Sequence, residues 1–386
     1  MNQTKHDHPK RVIILGSTGS IGISTLSVCA AFPDRFPVAA LSAHTSEETL
    51  LEQAQRFGVP VLALSGAKPK DTRIRFSGSE GLLAMISETE AEIVVNGISG
   101  AVGLLPSREA LRSGKDLALA NKETMVMAGP LVTELARAGG RRIIPVDSEH
   151  SAIFFLLQGK EPDQVERLVL TASGGAFRTL PLERLCSVTK EQALSHPTWK
   201  MGPKITVDSA TMANKGLEVM EAQYLFGFSP DRIDVIIHPQ SRVHSLVRMA
   251  DGSLHAHIGE PDMRLPILAA LSYPEMVPSP FGRLDLPGTV MEFLEPEKAR
   301  YPLLFTAIQA AETGAGYPAA FNGANETAVS RFLEGKIGFT DIAGAVAETL
   351  EADWHNQVHS FEDAIEIDRR ARIAAEKVIT RRIAAL

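Results

Sequence analysis

The sequence predicts an α/β protein: an N-terminal doubly wound (Rossmann-like) domain, then an α+β region, then a C-terminal helical region. Three observations carry this. Short apolar runs alternate with helical stretches through the first 150 residues, strand-like runs of wetter texture recur between 165 and 259, and helical patterning resumes at Leu303. Alternation of short strands with helices marks a parallel sheet covered on both faces. At 386 residues and about 150 residues per domain, two or three domains are expected. The expected boundaries are 1–150, 151–280, a linker over 281–304, and 305–386.

Arg11–Leu15 reads as a buried strand, followed by a Gly-rich turn and a helix over Ile21–Ala31. Val38–Leu41, Val59–Leu64, Ala91–Asn96, Leu117–Ala120 and Arg142–Val146 continue the strand series, with helical patterns such as Ser46–Phe57 and Ser107–Ser113 between them. Beyond Ser151, a helix is expected to begin over Ile153–Leu157 and a strand over Val165–Ala172. A long helix is expected over Ala210–Phe226, then strands at Val235–Ile237, Val243–Met249 and Ser253–Gly259. Proline-rich Tyr273–Pro302 lacks periodicity and reads as a linker or crossing segment. A helix capped by Thr340 or Asp341 and a last helix over 361–385 complete the chain.

Composition narrows the function. Hydrophobic residues make up 44% and charged residues 22%, an ordinary globular balance. Lys and Arg (39) against Asp and Glu (46) give a net charge of −7, so no overall basic field invites nucleic acid. One positive pocket for a small anion remains compatible with that balance. The two cysteines, Cys29 and Cys186, make neither a disulfide framework nor a Cys-x-x-Cys metal set, which fits a reducing compartment. Met1–Lys10 has no apolar core of a secretory signal, and no run approaches the ~18 apolar residues of a membrane span. A cytoplasmic protein without membrane partners is expected.

Gly16-Ser-Thr-Gly19-Ser-Ile-Gly22 follows the first strand and opens a helix. Glycines there permit a tight turn and close backbone approach, and the helix start offers N–H groups to a pyrophosphate. The spacing is GxxGxxG rather than GxGxxG, so the position matters as much as the pattern. After the second strand, Leu41-Ser-Ala-His44-Thr45-Ser46 has no acid before Glu47. An NAD site usually places Asp or Glu there, and its absence favours NADP, with His44 beside the 2′-phosphate.

Asp147-Ser148-Glu149-His150 ends the strand at Arg142–Val146. On an extended segment the two carboxylates would point the same way and could share a hard divalent cation; a solvated helix cap is the other reading. In Asp208-Ser209-Ala-Thr-Met-Ala-Asn214-Lys215-Gly-Leu-Glu218, helical spacing puts Asn214, Lys215 and Glu218 on one face. Ser209, Asn214 and Lys215 could donate to a phosphate while Glu218 completes a metal site; an ordinary Lys–Glu surface pair fits the same spacing. Thr171-Ala-Ser173-Gly174-Gly175 is a turn able to present N–H groups to an anion. Ser195–Lys204, with His196, Trp199 and Met201 expected to be exposed, reads as a loop that closes over a ligand.

Together these motifs resemble one family. GSTGSIG, NKE at 121–123, DSEH at 147–150, the Ser-Gly-Gly turn at 173–175, HPTWKMG at 196–202 and VDSATMANKGLE at 207–218 are similar to 1-deoxy-D-xylulose 5-phosphate reductoisomerases. So are HPQS at 238–241, GEPDMR at 259–264 and NGANE at 322–326, over roughly residues 11–380. The resemblance implies a homodimeric enzyme that uses NADPH and Mg²⁺, Mn²⁺ or Co²⁺. It would convert 1-deoxy-D-xylulose 5-phosphate to 2-C-methyl-D-erythritol 4-phosphate in the non-mevalonate isoprenoid route, by retro-aldol cleavage, realdolisation and hydride reduction.

It also implies roles. Asp147, Glu149 and Glu218 would be the metal ligands; Ser173, Ser209, Asn214 and Lys215 would surround the phosphate, with His196 closing over it. Lys122 and Ser148 would face the reacting end, and Lys122, Glu149 and His196 are the catalytic candidates. Trp199 and Met201 would belong to the lid. Gly16, Thr18, Gly19, Ser20, Ile21, His44, Asn121, Glu123 and Gly202 would contact the cofactor. Where many members carry a Lys-Asn or Arg-containing turn after the second strand, this chain has Ala43-His44-Thr45.

Three rival readings fit the residues less well. A Tyr-x-x-x-Lys reductase fails, because no Lys stands four residues after Tyr224, Tyr273, Tyr301 or Tyr317. A cysteine-nucleophile semialdehyde dehydrogenase finds Cys29 in a helix and Cys186 in a polar connection. A non-catalytic NADP-binding redox sensor would keep the Gly loop but have no need of the three carboxylates.

Overall fold

The structure, a computed structural model, describes residues 9–196, 199 and 201–384. Most of the Met1–Lys10 tail, three residues of the Ser195–Lys204 loop and the end of the last helix as expected lie outside the described residues. By contact the chain divides into two compact units. The first holds the chain up to Asn121, Glu134–Asp147 and Asp262–Gly282; the second holds Lys122–Thr133, Ser148–Pro261 and the chain from Arg283.

Seven strands build the first unit: β1 Val12–Leu15, β2 Val38–Ala43, β3 Val61–Leu64, β4 Phe76–Ser77, β5 Ile93–Asn96, β6 Asp116–Leu119 and β7 Ile143–Pro145. They pair in parallel in the order β4-β3-β2-β1-β5-β6-β7. Helices α1 Ser20–Ala31, α2 Glu47–Phe57, α3 Gly78–Glu88 and α4 Leu104–Arg112 connect them, and α5 Lys122–Ala138 precedes β7. Every residue of β1, β5 and β6 is buried, as expected where helices cover both faces of a parallel sheet. The doubly wound expectation holds. Because β1 lies between β2 and β5, strand order reverses beside it, and the crevice at the carboxyl ends is where such sheets bind ligands. Helix α5 bends where Ala128 leaves helical geometry two residues before Pro130.

In the second unit, β8 Val165–Ala172, β9 Ile233–Ile237, β10 Val243–Met249 and β11 Leu254–Ile258 form a sheet ordered β11-β10-β8-β9. Strand β8 is parallel to β9, while β10 is antiparallel to β8 and β11. Around it stand α6 Ser148–Leu156, α7 Lys190–Ala193, α8 Pro203–Thr211 and α9 Ala213–Phe226. After α10 Arg264–Ser272, which packs on α1 in the first unit, come α11 Pro302–Thr313, α12 Tyr317–Leu333, α13 Phe339–Leu350 and α14 Phe361–Ala384. Their core joins Leu217 and Met220 of α9 to Phe321 and Ala324 of α12 and Ile342 of α13. Gly216 permits the close α9–α11 approach: a Cβ there would lie 2.3 Å from Ala307 Cβ.

Several expectations are corrected. The long helix over Ala210–Phe226 is two helices, broken at Met212, whose φ of 57° is left-handed. Helix α6 starts at Ser148, not Ile153, and α13 starts at Phe339, where Gly338 N donates to Asp341 Oδ2 at 2.8 Å. No helix among the described residues is long and apolar enough to cross a membrane.

Candidate active site

On the first unit, the Gly-rich turn leaves β1 with Gly16 at φ +72°, a left-handed geometry that glycine adopts without strain. A Cβ on Gly22 would lie 2.4 Å from the Gly16 carbonyl oxygen and from Ser17 Cα, so only glycine lets α1 sit this close to the turn. Gly19 and Ser20 are exposed, and no side chain caps the start of α1. Its first N–H groups therefore face outward, the arrangement that binds phosphates. Thr18 and Ile21 are half-buried beside it. Asn121, just after β6, donates from Nδ2 to the carbonyls of Ile98 and Gly100 (2.9 Å each). His44 is exposed at the end of β2, with its Nδ1 3.2 Å from Ser65 Oγ and its ring over Gly66. The remaining expected cofactor contacts, Glu123 in the first turn of α5 and Gly202 capping α8, belong to the second unit. Gly22→Ala is expected to cost about 3 kcal/mol of stability, because backbone rather than a flexible side chain must move; a thermal melt checks it.

In the second unit, charged side chains converge at the start of α9. Lys122 Nζ donates to Asn214 Oδ1 at 2.6 Å and to Glu218 Oε1 at 3.2 Å. Asn214 Nδ2 donates to Glu218 Oε1 at 2.6 Å, realising the i, i+4 spacing. Lys215 Nζ bridges two carboxylates, reaching Glu149 Oε1 at 2.9 Å and pairing closely with Glu218 Oε2. Lys122, Lys215 and Glu218 are all buried. A surface Lys–Glu pair is thereby excluded: these charges are held out of water, where ammonium and carboxylate are worth keeping only together. Behind them, buried His150 has Nε2 2.9 Å from the Glu218 carbonyl and Nδ1 3.1 Å from Glu221 Oε2. Sequence reasoning did not single out Glu221.

The acidic turn differs from expectation. Asp147 follows β7, but Ser148 and Glu149 already belong to α6, so the two carboxylates do not share an extended segment. Glu149 reaches Lys215 from a helical first turn, and Ser148 Oγ donates to Glu149 Oε2 at 2.6 Å.

The Ser173–Gly175 turn follows β8 with Gly174 at φ +80° and Gly175 at φ +67°. A Cβ on Gly175 would lie 2.6 Å from the Ser209 carbonyl oxygen, so this turn rests directly on α8. Ser209 is in the last turn of α8 rather than at the start of the helix carrying Asn214. His196 Nδ1 accepts the Trp199 N–H at 2.9 Å, which leaves Nε2 as the N–H of the neutral ring, donating to Ser173 Oγ at 3.1 Å. Trp199 and Met201 are half-buried, not exposed as expected.

Burial lowers the His196 pKa below the ordinary 6.5. The folded form thus binds fewer protons than the unfolded chain. The Trp199–His196 bond contributes fully above pH 6.5 and is lost as pH falls through the lowered folded value, when Nδ1 gains a hydrogen. Tryptophan fluorescence is expected to show an acid transition in the wild type that His196→Gln lacks; the same transition in both would remove this pairing.

A second buried charge cluster was missed in the sequence. Lys204 Nζ lies 2.7 Å from Glu123 Oε1 and 3.0 Å from Asp208 Oδ2, and Asn325 Nδ2 donates to Asp208 Oδ1 at 2.8 Å. Burial alone would lower the Lys204 pKa, but the carboxylates of Asp208, Glu123 and Glu326 raise it well above the ordinary value. Burial alone would raise Glu123, yet the Lys204 ammonium holds it below the ordinary carboxylate value. The i, i+4 spacing of Lys204 and Asp208 was the signal available.

A family model described as 1-deoxy-D-xylulose 5-phosphate reductoisomerase matches residues 12–129, and two models of that enzyme's C-terminal domain match 143–226 and 258–374. The reductoisomerase of Gloeobacter violaceus is 48% identical, covering 94% of this chain and 96% of that protein. That of Geobacter metallireducens is 47% identical over 96% of this chain and 99% of its own. The chain belongs to the 1-deoxy-D-xylulose 5-phosphate reductoisomerase family. Among solved structures, the Zymomonas mobilis reductoisomerase in complex with NADPH is 39% identical, with TM-score 0.88 over 96% of this chain and 99% of that one. A reductoisomerase in complex with NADPH, fosmidomycin and magnesium is 38% identical, with TM-score 0.89 over 96% and 98%.

Proposed function

We propose that this chain isomerises and reduces 1-deoxy-D-xylulose 5-phosphate to 2-C-methyl-D-erythritol 4-phosphate with NADPH and a divalent cation, in the non-mevalonate isoprenoid route. The observation that carries it is the buried meeting of Lys122, Asn214, Lys215, Glu149 and Glu218. A non-catalytic sensor has no use for such a costly cluster.

The donor set suits a hard cation. Glu149 and Glu218 are carboxylates gathered around one ammonium, and Asp147 stands two residues before Glu149. These three would hold Mg²⁺, Mn²⁺ or Co²⁺. When bound, the cation supplies Lewis acidity toward the substrate's carbonyl and hydroxyl oxygens, and NADPH supplies hydride. Lys122, fixed by Asn214 and Glu218, presents a positive charge where negative charge develops on a substrate oxygen. Lys122 and Glu149 are the side chains placed to move a proton, and Ser148 orients the same end. Ser173, Ser209, Asn214 and Lys215 hold the phosphate, His196 fixes Ser173, and Trp199 and Met201 cover the substrate. Binding the remote phosphate supplies interaction energy that aligns the reacting end. Gly16, Thr18, Gly19, Ser20, Ile21, His44, Asn121, Glu123 and Gly202 contact NADPH.

Residues 1–150 act as the NADPH-binding part, 151–280 as the catalytic part and 305–386 as the helical part, joined by 281–304. The working protein is a homodimer in the cytoplasm. Strand β11 supports the dimer: it is a sheet edge exposed along its whole length, with Leu254 50% and Ile258 43% exposed, and bare apolar edges are rarely left unpaired.

NADPH absorbance followed with 1-deoxy-D-xylulose 5-phosphate tests the reading. Mn²⁺-dependent decay that excess chelator stops is expected. A folded, NADPH-binding protein showing no decay would favour the sensor.

A further inference from the structure

Outside the proposed reaction centre, one ionic group with buried partners is left without a task. Lys204, in the first turn of α8 and half-buried, pairs with two buried carboxylates from different elements: Glu123 of α5 at 2.7 Å and Asp208 of its own helix at 3.0 Å. Asp208 and Glu123 are 1% and 6% exposed at the side chain. Asp208 is anchored in turn by Asn325, a fully buried residue of α12. On the same helix Glu326 pairs with Arg372 of α14 at 2.7 Å, and Asn322 donates to Asp368 at 3.1 Å. The three polar residues of the NGANE segment thus all hold charged partners, and one of these lines leads to Lys204.

We propose that Lys204 is a positioning residue for the nicotinamide cofactor, fixing the buried Glu123 carboxylate as an ionised hydrogen-bond acceptor, with Asp208 and Asn325 holding the ammonium in place. The inference rests on the reading of Glu123 as a cofactor contact. A carboxylate can only accept when ionised, and the cofactor offers donors to it: ribose hydroxyls and the carboxamide N–H₂. A buried Glu without a cation would take up a proton and become partly a donor, mismatched to those groups. The charged groups facing Glu123 are Lys204 and, at longer range, Lys122; those facing Lys204 are Asp208, Glu123 and Glu326. None of these, apart from Lys122, belongs to the proposed metal and phosphate cluster. The electrostatic balance of Glu123 can therefore be changed while that cluster stays intact.

The test is NADPH affinity and steady-state kinetics on the full chain. Lys204→Met is expected to raise KM and Kd for NADPH about tenfold or more at pH 7, the worth of one charge-assisted hydrogen bond. The KM for the sugar phosphate and kcat at saturating NADPH should stay within about threefold. The defect should also become pH-dependent, easing as pH rises and Glu123 re-ionises, whereas wild-type NADPH affinity stays flat from neutral pH upward. Lys204→Arg is expected to restore most of the affinity. In the double variant Lys204→Met with Glu123→Gln, NADPH binding should be no weaker than in Glu123→Gln alone, because both changes cut one line of action.

Lys204→Gln, which keeps a donor but no charge, carries the same test if the methionine variant does not fold. Additive losses in the double variant, or a loss in Lys204→Met that raises both KM values alike without pH dependence, would reduce Lys204 to a packing role. Wild-type protein that binds no NADPH overturns the functional reading and this inference with it. Wild-type binding that survives Lys204→Met unchanged overturns this inference alone.

Discussion

Glu218→Gln is expected to lower kcat by about three orders of magnitude or more while NADPH affinity changes less than about threefold. The side chain is 1% exposed, and its two oxygens take bonds from Lys122, Asn214 and Lys215. Glutamine keeps the shape but removes the charge, so one oxygen becomes an N–H₂ group facing an ammonium, that of Lys122 at Oε1 or of Lys215 at Oε2. A cation held by carboxylates then loses a ligand, and the ammonium groups lose the partner that offsets their burial. Part of the cost falls on stability: about 1–3 kcal/mol for a buried charged acceptor lost. A melt measured beside the kinetics separates the two. NADPH binding is proposed at the Gly-rich turn of the first unit, so it serves as the internal control. Turnover near the wild-type level in this variant would remove Glu218 from the reaction centre.

How much of this was legible follows from where each signal lives. The parallel sheet could be read because β1, β5 and β6 are buried on both faces and so appear as apolar runs, with polar residues only at a strand end (Asn96, Asp116). Strand β4 could not, since two residues carry no periodicity. Asn214 and Glu218 were legible as a pair because four residues make one helical turn. The bond from Lys215 to Glu149 spans 66 positions and that from Lys204 to Glu123 spans 81, so only the tertiary fold brings them together. The break at Met212 was hidden as well. Its flanks are both helical in pattern, and a non-glycine residue at positive φ leaves no sequence mark. That break separates Ser209 from the helix of Asn214 and lets Gly175 bring the Ser173 turn against α8 instead.

Lys215→Ala is the second large effect. Its ammonium side chain is 4% exposed and lies between Glu149 and Glu218, so it serves two tasks. It compensates two carboxylates, and it is itself one of the residues proposed to receive the substrate phosphate. Removing it is expected to raise KM for the sugar phosphate about a hundredfold, the scale of one lost charge-assisted contact in a dry site. KM for NADPH should move less than about threefold, since no cofactor contact is assigned to α9. Lys215→Arg should recover little: a planar guanidinium cannot replace a compact ammonium wedged between the carboxylates of Glu149 on α6 and Glu218 on α9. Inhibition by inorganic phosphate gives an independent reading, because phosphate reports only the anion subsite. It should weaken in parallel with substrate binding in Lys215→Ala. Equal rises in both KM values, or phosphate inhibition that is unchanged, would leave Lys215 with charge compensation as its sole task and move the phosphate subsite toward Ser173 and Ser209.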